Sequence, residues 1–367
     1  MRGELVIFAT RSMEEYAERV AYEMQTFPDF YGKGYSRTIR GELKTVTFAD
    51  GEMEVEVHSS IRGKDVFLFA SAGRNSSNLS VEQNKLEMYH AIDAIRRSQP
   101  SRITLFEPFC TSSRSDRTTR RNSVGFWVHY KTLTSLGVDH IITYQLHSDK
   151  SKTVVDPTLC AMDDVPGSPM LKEYITDNFI RKMDVLNTKV ANDWLFCSVD
   201  AGGENVARKY ARAFGSRLMI AHKQRNYEKT NSVESINILT DTPIEGKEVW
   251  IVDDMIDTGG SIYNLVKELK NRGVQTINIA VVHAVFSDPA RQRLHELHDA
   301  GLLDRVIVTD TLDASEELQD SMPFLEVVSS ARLSAEIVMR MHEEQSLSPF
   351  FDDFDPRHYL SNLKLFI

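Results

Sequence analysis

A chain of 367 residues, 41% hydrophobic and 26% charged, has ample material for buried cores, predicts two domains and argues against overall disorder. A formal charge of −10 argues against general affinity for nucleic acid, although local basic pockets for phosphates stay open. No apolar run is long enough for a membrane span, Met1 to Thr10 lacks a secretory pattern, and Cys110, Cys160 and Cys197 lack metal-ligand spacing, so a reduced cytoplasmic protein with no membrane partner is expected.

Leu5 to Ala9 reads as a short strand, and Met13 to Met24, with Tyr16, Val20 and Met24 along one face, as the helix after it. A strand leading into a helix opens an α/β domain. Val46 to His58 alternates around Asp50-Gly51, a turn signal, and predicts a hairpin. Val66 to Ala70 is a further strand, Val81 to Arg97 a helix with an apolar stripe of Leu86, Tyr89, Ile92 and Ile95, and Ile103 to Phe106 another strand. The chain then breaks into SSRSDRTTRR, Ser112 to Arg121. Composition permits two readings here: a solvated charge run, or a polyphosphate loop in which arginine forks grip paired oxygens. Val124 to Leu136 predicts a helix, and Ile141 to Leu146 a strand that delivers His147, which by pattern alone reads as structural.

Lys152 to Met170 carries prolines and a glycine and is the best linker, with a boundary near Asp164. Leu171 to Met183 looks helical. Trp194 to Val199 is a strand ending at Asp200-Ala201-Gly202-Gly203, with the helix Val206 to Phe214 behind it. Leu218 to Ala221 leads into His222-Lys223-Gln224-Arg225-Asn226, and from there to Ser235 the chain is polar, as surface loops are.

The most informative stretch is Lys247 to Gly273. Glu248 to Val252 is an apolar strand ending on Asp253 and Asp254, followed by Asp257-Thr258-Gly259-Gly260-Ser261 and a helix marked by Ile262, Leu265, Val266 and Leu269. Glycines let the backbone approach a ligand, and the first amides of a helix have no partners of their own, so a phosphate can sit there. The acidic pair suits acceptance of hydrogen bonds from a polyol, or a divalent cation. A sugar phosphate satisfies both halves. Ile277 to His283 and Val306 to Asp310 are further strands, Ala290 to Ala300 and Ala331 to His342 further helices.

VDDMIDTGGS resembles the phosphoribosyl-pyrophosphate-binding motif of the type I phosphoribosyltransferase fold. FADGEMEVEV followed by SIRGKDVFLFAS is very similar to a signature near the amino terminus of ribose-phosphate pyrophosphokinases, and the resemblance runs in order from Leu5 to about Phe350. It implies an α/β protein of two tandem type I phosphoribosyltransferase-like domains, each a mostly parallel sheet flanked by helices: residues 1–164, with the nucleotide-binding hairpin and loop, and 165–350, with the ribose 5-phosphate site. A tail, 351–367, follows, and is expected to pack on a neighbouring chain. Phe30 to Lys44 is longer than the family usually has.

The implied reaction transfers the pyrophosphoryl group of ATP to the anomeric hydroxyl of ribose 5-phosphate with Mg²⁺, giving phosphoribosyl pyrophosphate and AMP. Matched to the family's motifs, Phe48, Asp50 and Glu52 of the hairpin and Arg114 and Asp116 of the basic loop serve the nucleotide. His147 and Asp200 serve the metal, and Lys223 and Arg225 the transition state. Asp253 and Asp254 orient the ribose hydroxyls, while Asp257, Thr258, Gly259, Gly260 and Ser261 hold the 5-phosphate. Because the family's hairpin reaches a neighbouring subunit, a homo-oligomer with a shared nucleotide site is implied. Ser115, Gln145 and Val199 stand where the family has glutamine, aspartate and proline. These departures motivate a second hypothesis, a catalytically silent regulatory subunit. The shared loop around Asp257 motivates a third, a phosphoribosyltransferase that consumes the product.

Overall fold

The computed structural model describes residues 3–28, 30, 39–73, 75, 77–118, 120–224, 235–312 and 315–363. They cluster into two units. The first comprises residues 1–166, 311–313 and 329–352, the second 167–310, 314–328 and 353–367.

In the first unit, β1 (Leu5–Ala9), β4 (Asp65–Phe69), β5 (Arg102–Phe109), β6 (His140–Tyr144) and β7 (Ala161–Val165) form a five-stranded sheet in that order, parallel throughout. Strands covered on both faces read as continuous apolar runs, which explains LVIFA and DVFLF. Ile7, Phe67, Phe69 and Phe106 face a core shared with α1 (Glu14–Thr26). Val66, Leu68 and Leu105 face the opposite core, shared with α2 (Val81–Arg97) and α3 (Gly125–Ser135). Ser80 and Gln83 form a capping box that begins α2. The hairpin of β2 (Leu43–Thr47) and β3 (Met53–Val57) is antiparallel, as its turn signal predicts.

In the second unit, β8 (Trp194–Ser198), β9 (Arg217–Gln224), β10 (Ser235–Leu239), β11 (Glu248–Ile256), β12 (Thr276–Ala284), β13 (Arg305–Thr309) and β14 (Leu325–Val328) form a seven-stranded sheet. Its order is β10-β9-β8-β11-β12-β13-β14, antiparallel only between β10 and β9. One face is covered by α8 (Gly260–Asn271), α9 (Ala290–Asp299) and α10 (Glu316–Ser321). The other is covered by α4 (Ser168–Ile175) and α7 (Glu204–Phe214) over Trp194, Phe196 and Trp250.

Several expectations need correction. The presumed linker contains β7, the edge strand of the first sheet, whose Asp163 and Asp164 obscure the strand pattern. The helix expected over 171–183 ends earlier: α4 passes into a wider turn, Thr176–Ile180, that closes at Arg181 with φ 57°. The short segments α5 (Met183–Val185) and α6 (Ala191–Asp193) follow. Strand β10 was not anticipated. Helix α11 (Ala331–His342), expected in the second domain, belongs to the first unit. Its Ala335, Val338 and Met341 join the α1 core, and the buried Tyr16 hydroxyl pairs with Ser330 and Ser334 at 2.7 Å each.

Within this chain, residues 353–363 of the tail pack on the second unit. Leu360 of α12 (Pro356–Leu363) is buried, and the Tyr359 hydroxyl donates to Asp177 at 3.0 Å. Lys172, fully buried, donates to Asp353 and stands 4.9 Å from the Tyr210 ring centre. Burial pushes the Lys172 ammonium below its usual range, and Asp353 partly restores it. Asp353→Ala is expected to cost about 2 kcal/mol, less than a fully enclosed pair would lose because Asp353 is half exposed. A depressed lysine means that the folded chain binds fewer protons than the unfolded one between the folded-state value and the ordinary one. The penalty for the buried charge is therefore relieved as pH rises through that alkaline window. Thermal melts of the variant against wild type should show a smaller deficit at high pH than at neutral pH.

Candidate active site

In the second unit, β11 runs further than its apolar stretch suggests, through Ile256, because its ladder with β12 continues past the acidic pair to Met255↔His283 and Ile256↔Ala284. Asp253 and Asp254 therefore lie within the strand. Consecutive strand residues point to opposite faces. Asp254 is 8% exposed, and its amide donates to Asp253 Oδ1 at 2.9 Å. Burial pushes the Asp253 carboxyl well above the usual carboxylate range, and the charges of Asp254 and Asp200 push it further.

The loop then turns at Gly259, whose φ of 70° favours glycine, and α8 begins at Gly260. The Gly260 and Ser261 amides thus fall in the first turn, among the donors that have no partner within a helix. Arg293 of α9 donates to the Thr258 carbonyl at 2.8 Å, steadying the loop from outside. The sequence reading missed Arg293.

The β8–α7 turn lies against Asp253 of β11. The Gly202 and Gly203 amides donate to Asp200 Oδ1 at 2.8 and 3.2 Å, and a Cβ placed on Gly203 would stand 3.4 Å from Asp253 Oδ1. Asp200 and Asp253 are thus brought together. Lys223 falls near the end of β9, and Arg225 lies outside the described residues.

In the first unit the hairpin turn is closed by the Phe48 amide donating to the Glu52 carbonyl at 2.8 Å, and by the Glu52 amide donating to Asp50 Oδ1 at 3.1 Å. Phe48 is 47% exposed at the tip. A residue not singled out from the sequence, Glu87 of α2, holds the middle of the hairpin's first strand. It is buried and accepts from the Thr45 hydroxyl at 2.8 Å and from Arg11 Nε at 3.0 Å.

The basic loop starts after β5. Arg114 is exposed, and Asp116 accepts from the Ser151 hydroxyl at 3.3 Å. Ser115, the residue in place of glutamine, has a structural task. Its Oγ accepts from the Gly125 amide at 3.0 Å and its carbonyl from the Phe126 amide at 3.1 Å, so it caps α3. His147 is exposed beyond β6, on a turn where Gln145 has φ 45°. Asp164, read from sequence only as a boundary, accepts from the Leu146 amide at 2.9 Å and fixes that turn.

Mg²⁺ suits the second unit's carboxylates. It takes one or two carboxylate oxygens and keeps several waters. Among the described residues no group of three His, Cys, Asp or Glu forms a metal cage, as such an ion does not require one. Burial is the main cause of the raised Asp253 carboxyl, and a cation here would offset the neighbouring negative charge that adds to it. Among the described residues no helix is long and apolar enough to cross a membrane.

Comparison with known proteins agrees with this arrangement. Residues 5–137 match the family described as the N-terminal domain of ribose phosphate pyrophosphokinase, and residues 178–312 match the phosphoribosyl transferase domain. A ribose-phosphate pyrophosphokinase of Chlorobaculum tepidum is 31% identical over 99% of both chains. One from a Nostoc species is 34% identical over 85% of this chain and 86% of its own. The crystal structure of phosphoribosylpyrophosphate synthetase from Mycobacterium smegmatis superposes with a TM-score of 0.77 at 29% identity, covering 93% of this chain and 99% of that one. Two phosphoribosyltransferase-type α/β domains, with the strand, loop and helix around Asp253 in the second, therefore place this chain in the ribose-phosphate pyrophosphokinase family.

Proposed function

We propose that this chain is a cytoplasmic enzyme that transfers the pyrophosphoryl group of Mg²⁺-bound ATP to the anomeric hydroxyl of ribose 5-phosphate, giving phosphoribosyl pyrophosphate and AMP. The observation that carries this reading is the second unit's loop, where an acidic pair within β11, with Asp254 buried, leads into the glycine turn and the first residues of α8. Relatives named ribose-phosphate pyrophosphokinase and phosphoribosylpyrophosphate synthetase, matched over nearly their whole length, support it.

In this reading Gly259, Gly260 and Ser261 bind the 5-phosphate through backbone amides and a hydroxyl, with Asp257 and Thr258 shaping the loop. Asp253 and Asp254 accept hydrogen bonds from the ribose hydroxyls and orient the sugar. Phe48 offers a ring to the adenine, Asp50 and Glu52 accept from its edge, and Arg114 and Asp116 serve the polyphosphate end. His147 and Asp200 are each assigned to Mg²⁺, which when bound neutralises polyphosphate charge. Displacement at the β-phosphorus spreads negative charge over its oxygens, and Lys223 and Arg225 are the cations assigned to it. The hairpin would serve the nucleotide of a neighbouring copy, making the assembly a homo-oligomer.

Purified protein with ATP, Mg²⁺ and ribose 5-phosphate is expected to form AMP only when the sugar is present. Ribose 5-phosphate binding without any sugar-dependent AMP would overturn the enzyme reading in favour of a silent subunit.

A further inference from the structure

One carboxylate in the first unit lies where composition would place neither charge nor polarity. Glu107 of β5 is fully buried, and its neighbours His129, Tyr130 and Cys110 are almost as enclosed. Its Oε1 accepts from the Thr111 amide at 3.2 Å and its Oε2 from the Tyr130 hydroxyl at 2.9 Å. His129 Nε2 stands 3.4 Å from Oε2, and His129 Nδ1 is 2.7 Å from the Tyr89 hydroxyl. Thr111, just after β5, and His129 and Tyr130 of α3 thus converge on one carboxylate, with Tyr89 of α2 behind His129. An apolar side chain would fill this space without the cost of burying a charge. What the carboxylate adds is an acceptor for the amide at the start of the basic loop.

That amide needs one. The ladder between β5 and β6 shifts register between Phe106 and Phe109, and Ser112 has φ 67°, so the backbone has left regular strand geometry by Thr111. A buried amide without an acceptor is costly. From Thr111 the fastening continues: the Ser115 amide donates to the Ser112 carbonyl at 2.8 Å, Lys85 donates to Ser112 Oγ at 3.2 Å, and Ser115 caps α3. Arg114 and Asp116 flank Ser115 on this fastened turn.

We propose that Glu107 is a positioning residue for the nucleotide, fixing the backbone of the turn that carries Arg114 and Asp116 without touching the ligand. The role rests on the nucleotide assignment made above. Its test is calorimetric binding of Mg²⁺ with α,β-methylene ATP, whose α–β linkage cannot be cleaved in the transfer, measured on the full chain without sugar. Glu107→Leu, which strands the Thr111 amide, is expected to weaken binding about tenfold or more. Glu107→Gln keeps an acceptor for that amide and can donate to His129 Nε2 in its other tautomer, so it should stay within about threefold of wild type. Ile141→Ala, which removes a buried side chain from the same core, should lower the melting temperature and leave nucleotide affinity unchanged.

Wild-type affinity in Glu107→Leu overturns the proposal, as does an equal loss in Ile141→Ala, which would reduce Glu107 to a stability role. Should Glu107→Leu fail to fold, Glu107→Asp, one methylene shorter, carries the same expectation and the same refutation. No binding of the analogue to wild type would refute the nucleotide assignment itself, whereas binding that is indifferent to Glu107 refutes this role alone.

Discussion

A Lys223→Ala chain is expected to turn over about a thousandfold more slowly than wild type, with the dissociation constant for ribose 5-phosphate unchanged. The argument is electrostatic. In the proposed transfer, charge grows on the oxygens around the β-phosphorus and on the departing AMP, and a cation that meets that charge lowers the barrier far more than it aids ground-state binding. The proposed sugar subsite lies on a separate strand, loop and helix, β11 to α8, and should not register the change. Single-turnover AMP formation combined with calorimetric sugar binding separates the two effects. Unchanged turnover would remove the residue from the mechanism, and a parallel loss of sugar affinity would assign it to binding.

The second large effect has opposite signs for stability and binding. Ser261 is the second residue of α8, where a carboxylate interacts favourably with the helix dipole. Ser261→Asp should therefore leave the melting temperature equal or slightly raised. A carboxylate there would also occupy the place assigned to the 5-phosphate and repel it, so affinity for ribose 5-phosphate should fall about a hundredfold. Such a loss in a protein as stable as wild type locates the phosphate at these amides. Retained affinity would move it elsewhere. The same variant is expected to bind α,β-methylene ATP normally, because Arg114, Asp116 and the hairpin belong to the other unit.

Much of the candidate site was legible because its signals are local. The strand, Gly-Gly turn and helix of residues 248–271 can be read from one short window: an apolar run, glycines where the backbone must turn, then apolar residues at helical spacing. The hairpin was legible for the same reason, since Asp50-Gly51 sets its turn and alternation its strands. Where those windows misled, a distant partner had decided the outcome. Strand β11 outlasts its apolar run because β12 continues beside it, and β7 forms within a proline-containing stretch because β6 offers an open edge.

Legible in the sequence alone were the family, the two-domain α/β class, and which aspartates, glycines and hydroxyl residues lie on the loop assigned to the sugar phosphate. These follow from residue type and short spacing. Only the tertiary structure decided that α11 covers the first unit's sheet, that the tail folds onto Lys172, that Ser115 caps α3, and that Glu107 lies buried beneath the basic loop. Periodicity reports which face of an element is covered but not by what. A glutamate that composition would leave in solvent becomes an internal anchor only because Tyr130 and Thr111 bring it donors, and no local pattern encodes that meeting.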